Sequence, residues 1–378
     1  MAATLPPSPE NKAPEASAAD PDRPVNIVFV GAGAVGCFYA SRLHHPQHNI
    51  HVSLIARSNY AVLARDGVKL QTHSFGDYTF TPHAVRWDFV IVTTKALPDR
   101  QDDSATIAPL VGPGTTVVLI QNGVGVEEPY RRRFPRAPIA SGVTLVSAEQ
   151  VSQGLIRQNR WTRMHLGPYT DSASSEPSAS PDSVVTSHTG GNVDDEGGSR
   201  ADSSTSDLAD RGADAVRRLA GWWARLGGVR DVEALDEVAL QTIRWHKLTI
   251  NAAMNPSAVL SGGRGNADMV SDPELRAHLR GVMDEIWAAA PRVLGRPFPA
   301  DLARPDRILR STERNVGARP SMLLDWEAGR PLELEVILGN PVRIARAKGV
   351  ELPRMQSLYA LLKSAQAVRE QKAKKGKL

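Results

Sequence analysis

Short apolar, β-branched runs alternate with helix-like stretches along the first third of the chain. The runs occupy residues 25–30, 50–56, 89–94 and 116–120. Strands and helices that alternate in this way predict right-handed βαβ units, in which helices cover both faces of a parallel sheet. Further strand-like runs follow at 139–148, 154–159, 163–167 and 228–234. The pattern therefore predicts an α/β domain built on a doubly wound sheet.

Helical periodicity dominates the rest of the chain. Apolar residues between about Leu208 and Leu226 fall on one face of a predicted amphipathic helix. The strand signal then fades from Asp236 onward. We place the domain boundary near Leu235 and expect an α/β domain over 25–235, followed by an all-helical domain over 236–368.

Three segments fall outside the two predicted domains. Residues 1–24 are rich in Pro, Ala and Ser and are predicted to be a disordered tail. Residues 171–205 carry seven acids and one base among Ser, Gly and Pro, so they predict a disordered surface insertion. A partner-binding loop is the alternative for that insertion. Residues 369–378 form a basic tail with five bases and one acid, which we expect to be solvated.

Composition and charge narrow the class of protein. Hydrophobic residues make up 41% and charged residues 23%, which is typical of soluble globular domains. The basic tail accounts for the whole net charge of +4, so we expect no nucleic-acid partner. The apolar runs are too short to span a membrane. A lone cysteine, Cys37, suits a reducing compartment, and a cytoplasmic location is expected.

Residues 31–36 read G-x-G-x-x-G, directly after the first strand-like run and at the start of a helix-like one. In this context the first glycine permits a tight turn, the second a close approach to a pyrophosphate, and the third close packing of helix and strand. Free N–H groups at the helix N-terminus favour an anion. The motif predicts a Rossmann-type domain, with cofactor contacts from Gly31, Ala32, Gly33, Ala34, Val35 and Gly36. A glycine-rich turn without a ligand is the alternative.

The end of the second strand indicates which cofactor binds. An NAD site usually has an acidic residue there for the ribose 2′-hydroxyl, whereas this chain continues from Ile55 through Ala56 to Arg57. A guanidinium binds a 2′-phosphate well, so the sequence predicts NADP. The alternative is that Arg57 is a surface residue at a strand end.

Polar residues cluster in three further places. Lys95 and Asn122 each follow a predicted strand at its carboxyl end, where ligands bind in open α/β sheets. Lys247, Asn251 and Asn255 recur every four residues and share one face of a helix. Burying an amine and two amides costs free energy unless partners are found, and a polar substrate would supply them. A third cluster runs from Ser321 to Glu333, although Glu333 is also explained as an acid at a helix N-terminus.

In this order, over about residues 25–353 without the insertion, the motifs resemble the ketopantoate reductase (2-dehydropantoate 2-reductase) family. The resemblance implies a Rossmann domain joined to a helical domain with the active site between them. It implies reduction of 2-dehydropantoate to (R)-pantoate with NADPH, on the route to pantothenate and coenzyme A. It also implies a monomer or homodimer with a small 2-oxo acid as substrate. Two alternatives stay open: a paralogue reducing another branched 2-oxo acid, and a catalytically silent NADP-binding regulatory protein.

The resemblance also implies roles for individual residues. Lys247 corresponds to the proton donor and Glu333 to the acid that holds the substrate hydroxyl and orients the lysine. Asn122 corresponds to a residue beside both nicotinamide and substrate. The remaining correspondences are substrate contacts at Asn251, Asn255 and Ser321, and cofactor contacts at Arg57 and Lys95.

The chain departs from the family at residues 338–341, where Leu-Gly-Asn-Pro stands in place of the common Asn-Gly pair. A proline inside a predicted helix lacks the N–H that the helix ladder needs. We therefore expect a local kink in the helix that follows Glu333.

Overall fold

A computed structural model describes residues 23–56, 60–80, 87–170 and 198–375 of the chain. In these ranges nine strands form one sheet: β1 Val25–Val30, β2 Ile50–Ile55, β3 Val68–Thr72, β4 Tyr78–Phe80, β5 Phe89–Val92, β6 Thr116–Leu119, β7 Ile139–Ser152, β8 Leu155–Pro168 and β9 Val232–Ala234. The described helices are α1 Ala34–Ser41, α2 Tyr60–Asp66, α3 Asp103–Ile107, α4 Glu128–Arg133, α5 Gly198–Gly221, α6 Glu237–Leu260, α7 Asn266–Ser271, α8 Pro273–Leu294, α9 Pro305–Glu313, α10 Ser321–Glu327, α11 Asn340–Ala347 and α12 Pro353–Lys375.

The sheet has the strand order β2-β1-β5-β6-β7-β8-β3-β4, and β9 pairs with β8. Strands β2, β1, β5, β6 and β7 are parallel neighbours, as the alternating pattern predicts. Beyond them the sheet becomes mixed, because β7 and β8 form an antiparallel hairpin of two 14-residue strands. Strands β3 and β4 are not foreseen by the apolar pattern. They are short; β3 adds to the sheet by pairing with β8, and β4 pairs with β3 at the edge.

Both faces of the parallel sheet are buried. Along β1, Ile27 and Phe29 pack into one hydrophobic cluster, whereas Val28 and Val30 pack into another on the opposite face. This alternation follows from the two-residue period of a strand. The prediction of a doubly wound α/β domain followed by an all-helical domain is confirmed, since every described element from α6 onward is helical.

The two parts of the chain share a core at the carboxyl ends of the strands. Ala96 follows β5, and Val124 and Val126 follow β6, yet all three belong to the hydrophobic cluster of the helical domain. These three residues anchor the loops after β5 and β6 on the helical domain, although residues 98–102 of the first loop are exposed. The last strand ends at Ala234 and α6 begins at Glu237; the boundary near residue 235 remains a prediction.

Two of the segments expected to be irregular are partly helical. Helix α5 begins at Gly198, so residues 198–205 are helical rather than part of a disordered insertion; extending an existing helix avoids the cost of nucleation. Residues 171–197 and 1–22 lie outside the described residues. Helix α12 runs to Lys375, and Arg369 at the start of the basic tail stacks on Trp326, 4.1 Å from its ring centre. This stacking holds the start of the tail against the protein.

Within the described ranges, no helix has both the length and the apolar composition that crossing a membrane requires.

Candidate active site

The glycine-rich turn between β1 and α1 has the conformation that a dinucleotide site requires. Gly31 has φ +115°, which side-chain-bearing residues rarely adopt, and its oxygen accepts a hydrogen bond from Thr93 Oγ1 at 2.8 Å. A Cβ on Gly36 would lie 2.0 Å from Gly31 O, so this position excludes any side chain. By contrast, a Cβ on Gly33 would meet nothing within 4 Å, which leaves open space before the helix. These residues fit a pyrophosphate placed at the N-terminus of α1.

A groove runs from this turn along the carboxyl edge of the sheet. Its lining includes Gly31, Ala32 and Gly33 from the turn, Ile55 at the end of β2, and Lys95 after β5. Ala34 and Val35 form the first turn of α1 beside it. The groove is thus lined by four of the nine positions predicted to contact a cofactor: Gly31, Ala32, Gly33 and Lys95. Arg57 lies outside the described residues, so the choice between NADP and NAD stays a prediction.

Three predicted site residues from distant parts of the chain form one hydrogen-bonded chain. Lys247 Nζ on α6 donates to Asn122 Oδ1 at 2.9 Å. Asn122 Nδ2 then donates to Glu333 Oε2 at 3.4 Å, and the Ala96 N–H donates to Glu333 Oε1 at 3.3 Å. Asn122 therefore links an amine on α6 with a carboxylate that also accepts a hydrogen bond from the loop after β5.

Burial shifts the pKa values of Lys247 and Glu333, the two charged residues of this hydrogen-bonded series. Burial and, to a smaller extent, the nearby positive charge of Arg244 together lower the pKa of Lys247 to about 8, against the opposing effect of Glu333. Burial raises the pKa of Glu333, against the effects of Lys95 and of the hydrogen bond from Asn122. A lysine with a pKa near 8 is mostly protonated at neutral pH and gives up its proton readily, which suits a general acid.

The loop that carries Asn122 is clamped by the segment that follows Glu333. Gly123 has φ +85°, and a Cβ there would lie 2.3 Å from Val336 O. The Val124 N–H donates to Val336 O at 2.9 Å, and Asn340 Nδ2 donates to Val124 O at 2.9 Å. The sequence departure at 338–341 therefore supplies Asn340 as a support for this loop.

Next to Pro341, where a kink is expected, the structure has a π-helical turn over Glu335–Gly339; the kink itself stays a prediction. Pro341 is the second residue of α11, where a missing N–H is tolerated. The wider turn is a recognised way to insert an extra residue into a helix, and such turns are frequent at functional sites.

The other predicted substrate-binding residues differ in whether they lie at the cavity beside Lys247 and Asn122. Asn251 lines a small cavity together with Lys247 and Asn122. Asn255 lies one turn further along α6 and is 5% exposed. Ser321 is the exposed first residue of α10 and does not line that cavity. The structure thus brings Asn251 to the site, whereas Ser321 does not line the cavity there.

Sequence reasoning missed three charged residues beside the site. Asp325 on α10 is 5% exposed and forms ion pairs with Lys95 and Arg330. Arg244 and Glu127 form a buried ion pair next to the Asn122 loop. An arginine within an apolar helix, three residues before Lys247, was the available signal, since charged residues are almost never fully buried without a partner.

Comparison with known proteins gives matches to both parts of the chain. Residues 27–171 match the family described as Ketopantoate reductase PanE/ApbA, and residues 239–366 match Ketopantoate reductase PanE/ApbA C terminal. The two matches together cover well over half of the 378 residues.

Individual relatives are similar over nearly their whole length. A 2-dehydropantoate 2-reductase of Nostoc sp. is 26% identical over 343 residues, which span 89% of this chain and 93% of that protein. The crystal structure of 2-dehydropantoate 2-reductase from Methylococcus capsulatus aligns with a TM-score of 0.70 at 29% identity, covering 91% of this chain and 98% of that one. A D-mandelate dehydrogenase in complex with NADH shares the fold, with a TM-score of 0.65 at 17% identity and coverage of 91% and 99%.

Proposed function

The chain belongs to the ketopantoate reductase family, and on that premise we propose that it reduces 2-dehydropantoate to (R)-pantoate with NADPH. The observation that carries the proposal is the hydrogen-bonded series of Lys247, Asn122 and Glu333, in which Glu333 is bound by Ala96, the residue after Lys95 in the lining of the groove. It combines a proton donor and a carboxylate in one place, as reduction of a hydroxylated 2-oxo acid requires.

Lys247 acts as the general acid. Its ammonium donates a hydrogen bond to the carbonyl oxygen of the substrate and transfers a proton to that oxygen as the carbonyl is reduced. The positive charge stabilises the negative charge that develops on the oxygen. Bound NADPH supplies the hydride for this chemistry. The lowered pKa of Lys247 makes the proton transfer easier than from an ordinary lysine.

Glu333 and Asn122 orient the reactants. The Glu333 carboxylate accepts a hydrogen bond from the substrate hydroxyl, while its own position is held by the Ala96 N–H and by Asn122. Asn122 also holds the Lys247 ammonium at the oxygen of its amide. Asn251, Asn255 and Ser321 are proposed to contact the rest of the substrate.

Cofactor binding is assigned to the turn of Gly31, Ala32, Gly33, Ala34, Val35 and Gly36, with Lys95 and Arg57. The turn holds the pyrophosphate at the N-terminus of α1, and Arg57 pairs with the 2′-phosphate that distinguishes NADPH from NADH. Replacing Arg57→Ala should reduce kcat/KM for NADPH and leave that for NADH nearly unchanged. Equal values of kcat/KM for NADPH in wild type and Arg57→Ala would show that Arg57 does not bind the 2′-phosphate.

The function is tested by following NADPH oxidation at 340 nm with 2-dehydropantoate and a panel of other 2-oxo acids. The panel includes 2-oxoisovalerate as a branched acid without the hydroxyl, and phenylglyoxylate because a mandelate dehydrogenase shares the fold. Selective turnover of 2-dehydropantoate supports the proposal. Turnover of another acid alone keeps the mechanism and changes the substrate, whereas NADPH binding without any turnover supports a regulatory protein.

A further inference from the structure

A buried ion pair lies beside the loop that carries Asn122. The side chains of Arg244 and Glu127 are 3% and 2% exposed, and Arg244 Nε lies 3.2 Å from Glu127 Oε1. Taking two charges out of water is costly, so such pairs persist where close partners satisfy them. Neither residue belongs to the chain of Lys247, Asn122 and Glu333, so their burial requires a separate explanation.

Arg244 binds the main chain on both sides of Asn122. Its Nη1 donates to Gln121 O at 3.0 Å and to Gly123 O at 2.9 Å. The guanidinium presents its N–H groups in a rigid plane, so two bonds to carbonyls that flank one residue fix the peptide groups between them. The amide of Asn122 therefore reaches Lys247 and Glu333 from a main chain that is held in place.

The ion pair is in turn anchored to two elements of the fold. Arg244 Nη2 donates to Ser141 Oγ and to Gly142 O on β7. Glu127 Oε1 accepts hydrogen bonds from Ser141 Oγ at 2.7 Å and from Gln241 Nε2 on α6 at 3.2 Å. The guanidinium is thus fixed by its carboxylate, by the sheet and by its own helix.

We propose that Arg244, held by Glu127, is a positioning residue that fixes the Asn122 loop so that one amide can contact both Lys247 and Glu333. The inference rests on the proposed role of Lys247 as the proton donor. Arg244 also lies close enough to Lys247 for its charge to lower the pKa of that ammonium. Arg244 should therefore affect both the order of the Asn122 loop and the pH dependence of kcat.

The first test compares Arg244→Lys with Arg131→Lys. Lysine keeps the charge but loses the planar set of donors, so the loop around Asn122 loosens. Arg131 is a matched control, because its guanidinium also binds main-chain carbonyls, including Ala137 O and Tyr169 O, but away from the site. We expect kcat to fall about 10- to 100-fold in Arg244→Lys, since small misplacements of catalytic groups have effects of that order, with NADPH affinity nearly unchanged. Arg131→Lys should keep kcat within about twofold.

Hydrogen exchange of the peptide spanning residues 121–126 reports loop order without any turnover. The Val124 N–H is bonded to Val336 O, so its exchange is slow when the loop is fixed. We expect faster exchange of this peptide in Arg244→Lys and no change in Arg131→Lys. A loop that exchanges at the wild-type rate in both variants would overturn the proposal.

The second test uses the double variant Arg244→Gln with Glu127→Gln, which removes both charges together and avoids leaving one of them buried alone. Compared with Glu127→Gln alone, the double variant should have its alkaline limb of the kcat profile at higher pH, because the charge of Arg244 lowers the pKa of Lys247. A purely structural residue would lower kcat without moving this limb. An unmoved limb would remove the electrostatic part of the proposal.

Failure of the proposed function is distinguishable from failure of this inference. If wild-type protein reduces none of the 2-oxo acids, the proposed function fails, and hydrogen exchange still decides whether Arg244 fixes the loop. If wild-type protein turns over a 2-oxo acid and Arg244→Lys equals it in both kcat and exchange, the inference alone fails.

Discussion

Lys247 is the residue whose removal tests the chemistry most directly. Lys247→Ala deletes the proton donor and leaves the glycine turn and the groove intact, so kcat should fall about 10²- to 10⁴-fold, as general acids typically contribute. NADPH binding, measured by fluorescence titration, should stay within about twofold of wild type. The exposed Lys348 provides the control variant Lys348→Ala, which should behave as wild type. Loss of NADPH binding in Lys247→Ala would mean that the lysine belongs to the cofactor site.

The pH dependence of kcat follows from the same residue. Lys247 must carry its proton to act as an acid, and its pKa is lowered to about 8. Activity should therefore be full below that pKa and decline as the pH rises through it, about two units below the ordinary range of lysine. Steady-state rates measured from pH 6 to pH 10 with saturating substrates give this limb. A rate that stays constant up to pH 10 would exclude Lys247 as the acid.

Residue identities in the site were predictable where they form local patterns. Lys247, Asn251 and Asn255 share a helix face, and Asn122 follows a strand, so these patterns predicted a candidate site; of the four residues, Asn255 does not line the cavity. Arg244 gave only a weak signal, as an arginine within an apolar helix, and its pairing with Glu127 was not predictable, because the fold brings that partner from a distant segment.

At the scale of elements, the loop after β6 depends on a glycine that cannot be replaced. Gly123→Ala would combine a strained φ of +85° with a Cβ 2.3 Å from Val336 O. Gly114→Ala is a matched control, because Gly114 has φ +86° but nothing within 4 Å of an added Cβ. The control should lose roughly 1 kcal/mol of unfolding free energy from backbone strain, and Gly123→Ala clearly more, together with most of its kcat.

Denaturant unfolding of the two glycine variants provides the measurement. Equal losses of unfolding free energy would show that the contact between Gly123 and Val336 does not constrain the loop. A larger loss in Gly123→Ala with normal kcat would show that the contact stabilises the fold but does not position Asn122.

Helices and strands were predictable where their own residues carry the pattern, and were missed where their order depends on distant segments. Strands β1, β2, β5 and β6 are mainly apolar runs, as is typical of buried parallel strands, with Asn26 in β1 and His51 and Ser53 in β2 as polar exceptions. Strands β3 and β4 were missed because they are short, lie between turn residues and gain order through distant pairing, β3 with β8 and β4 with β3. The π-helical turn itself was not predicted, since its register is set by contact with the Asn122 loop.

At the scale of the whole molecule, the end of α12 connects the helical domain to the loop after β5. Glu370 pairs with Arg100 in that loop, and Arg369 stacks on Trp326 and donates to Arg330 O. Truncation after Val368 removes these contacts, so we expect the KM for NADPH to rise severalfold and the Tm to fall by a few degrees. Removal of residues 372–378 should change neither.

Steady-state kinetics and thermal unfolding of the two truncations decide this prediction. If both truncations have the KM and Tm of the full-length chain, the end of α12 affects neither cofactor binding nor stability. The ion pair between Glu370 and Arg100 then contributes little to stability, as exposed pairs often do. A loss in both would assign the effect to the lysines beyond residue 371.

The shared core at the domain junction also limits which segments of this protein can be exchanged with those of a relative. Ala96, Val124 and Val126 belong to the sheet domain by chain position but to the helical cluster by packing. A chimaera that joins this sheet domain to the helical domain of a relative must therefore match the partner's packing surface to these three side chains. Chimaeras that exchange whole domains with a relative at residue 235 should rarely be active. Chimaeras in which the loops after β5 and β6 are exchanged together with the helical domain should be active much more often.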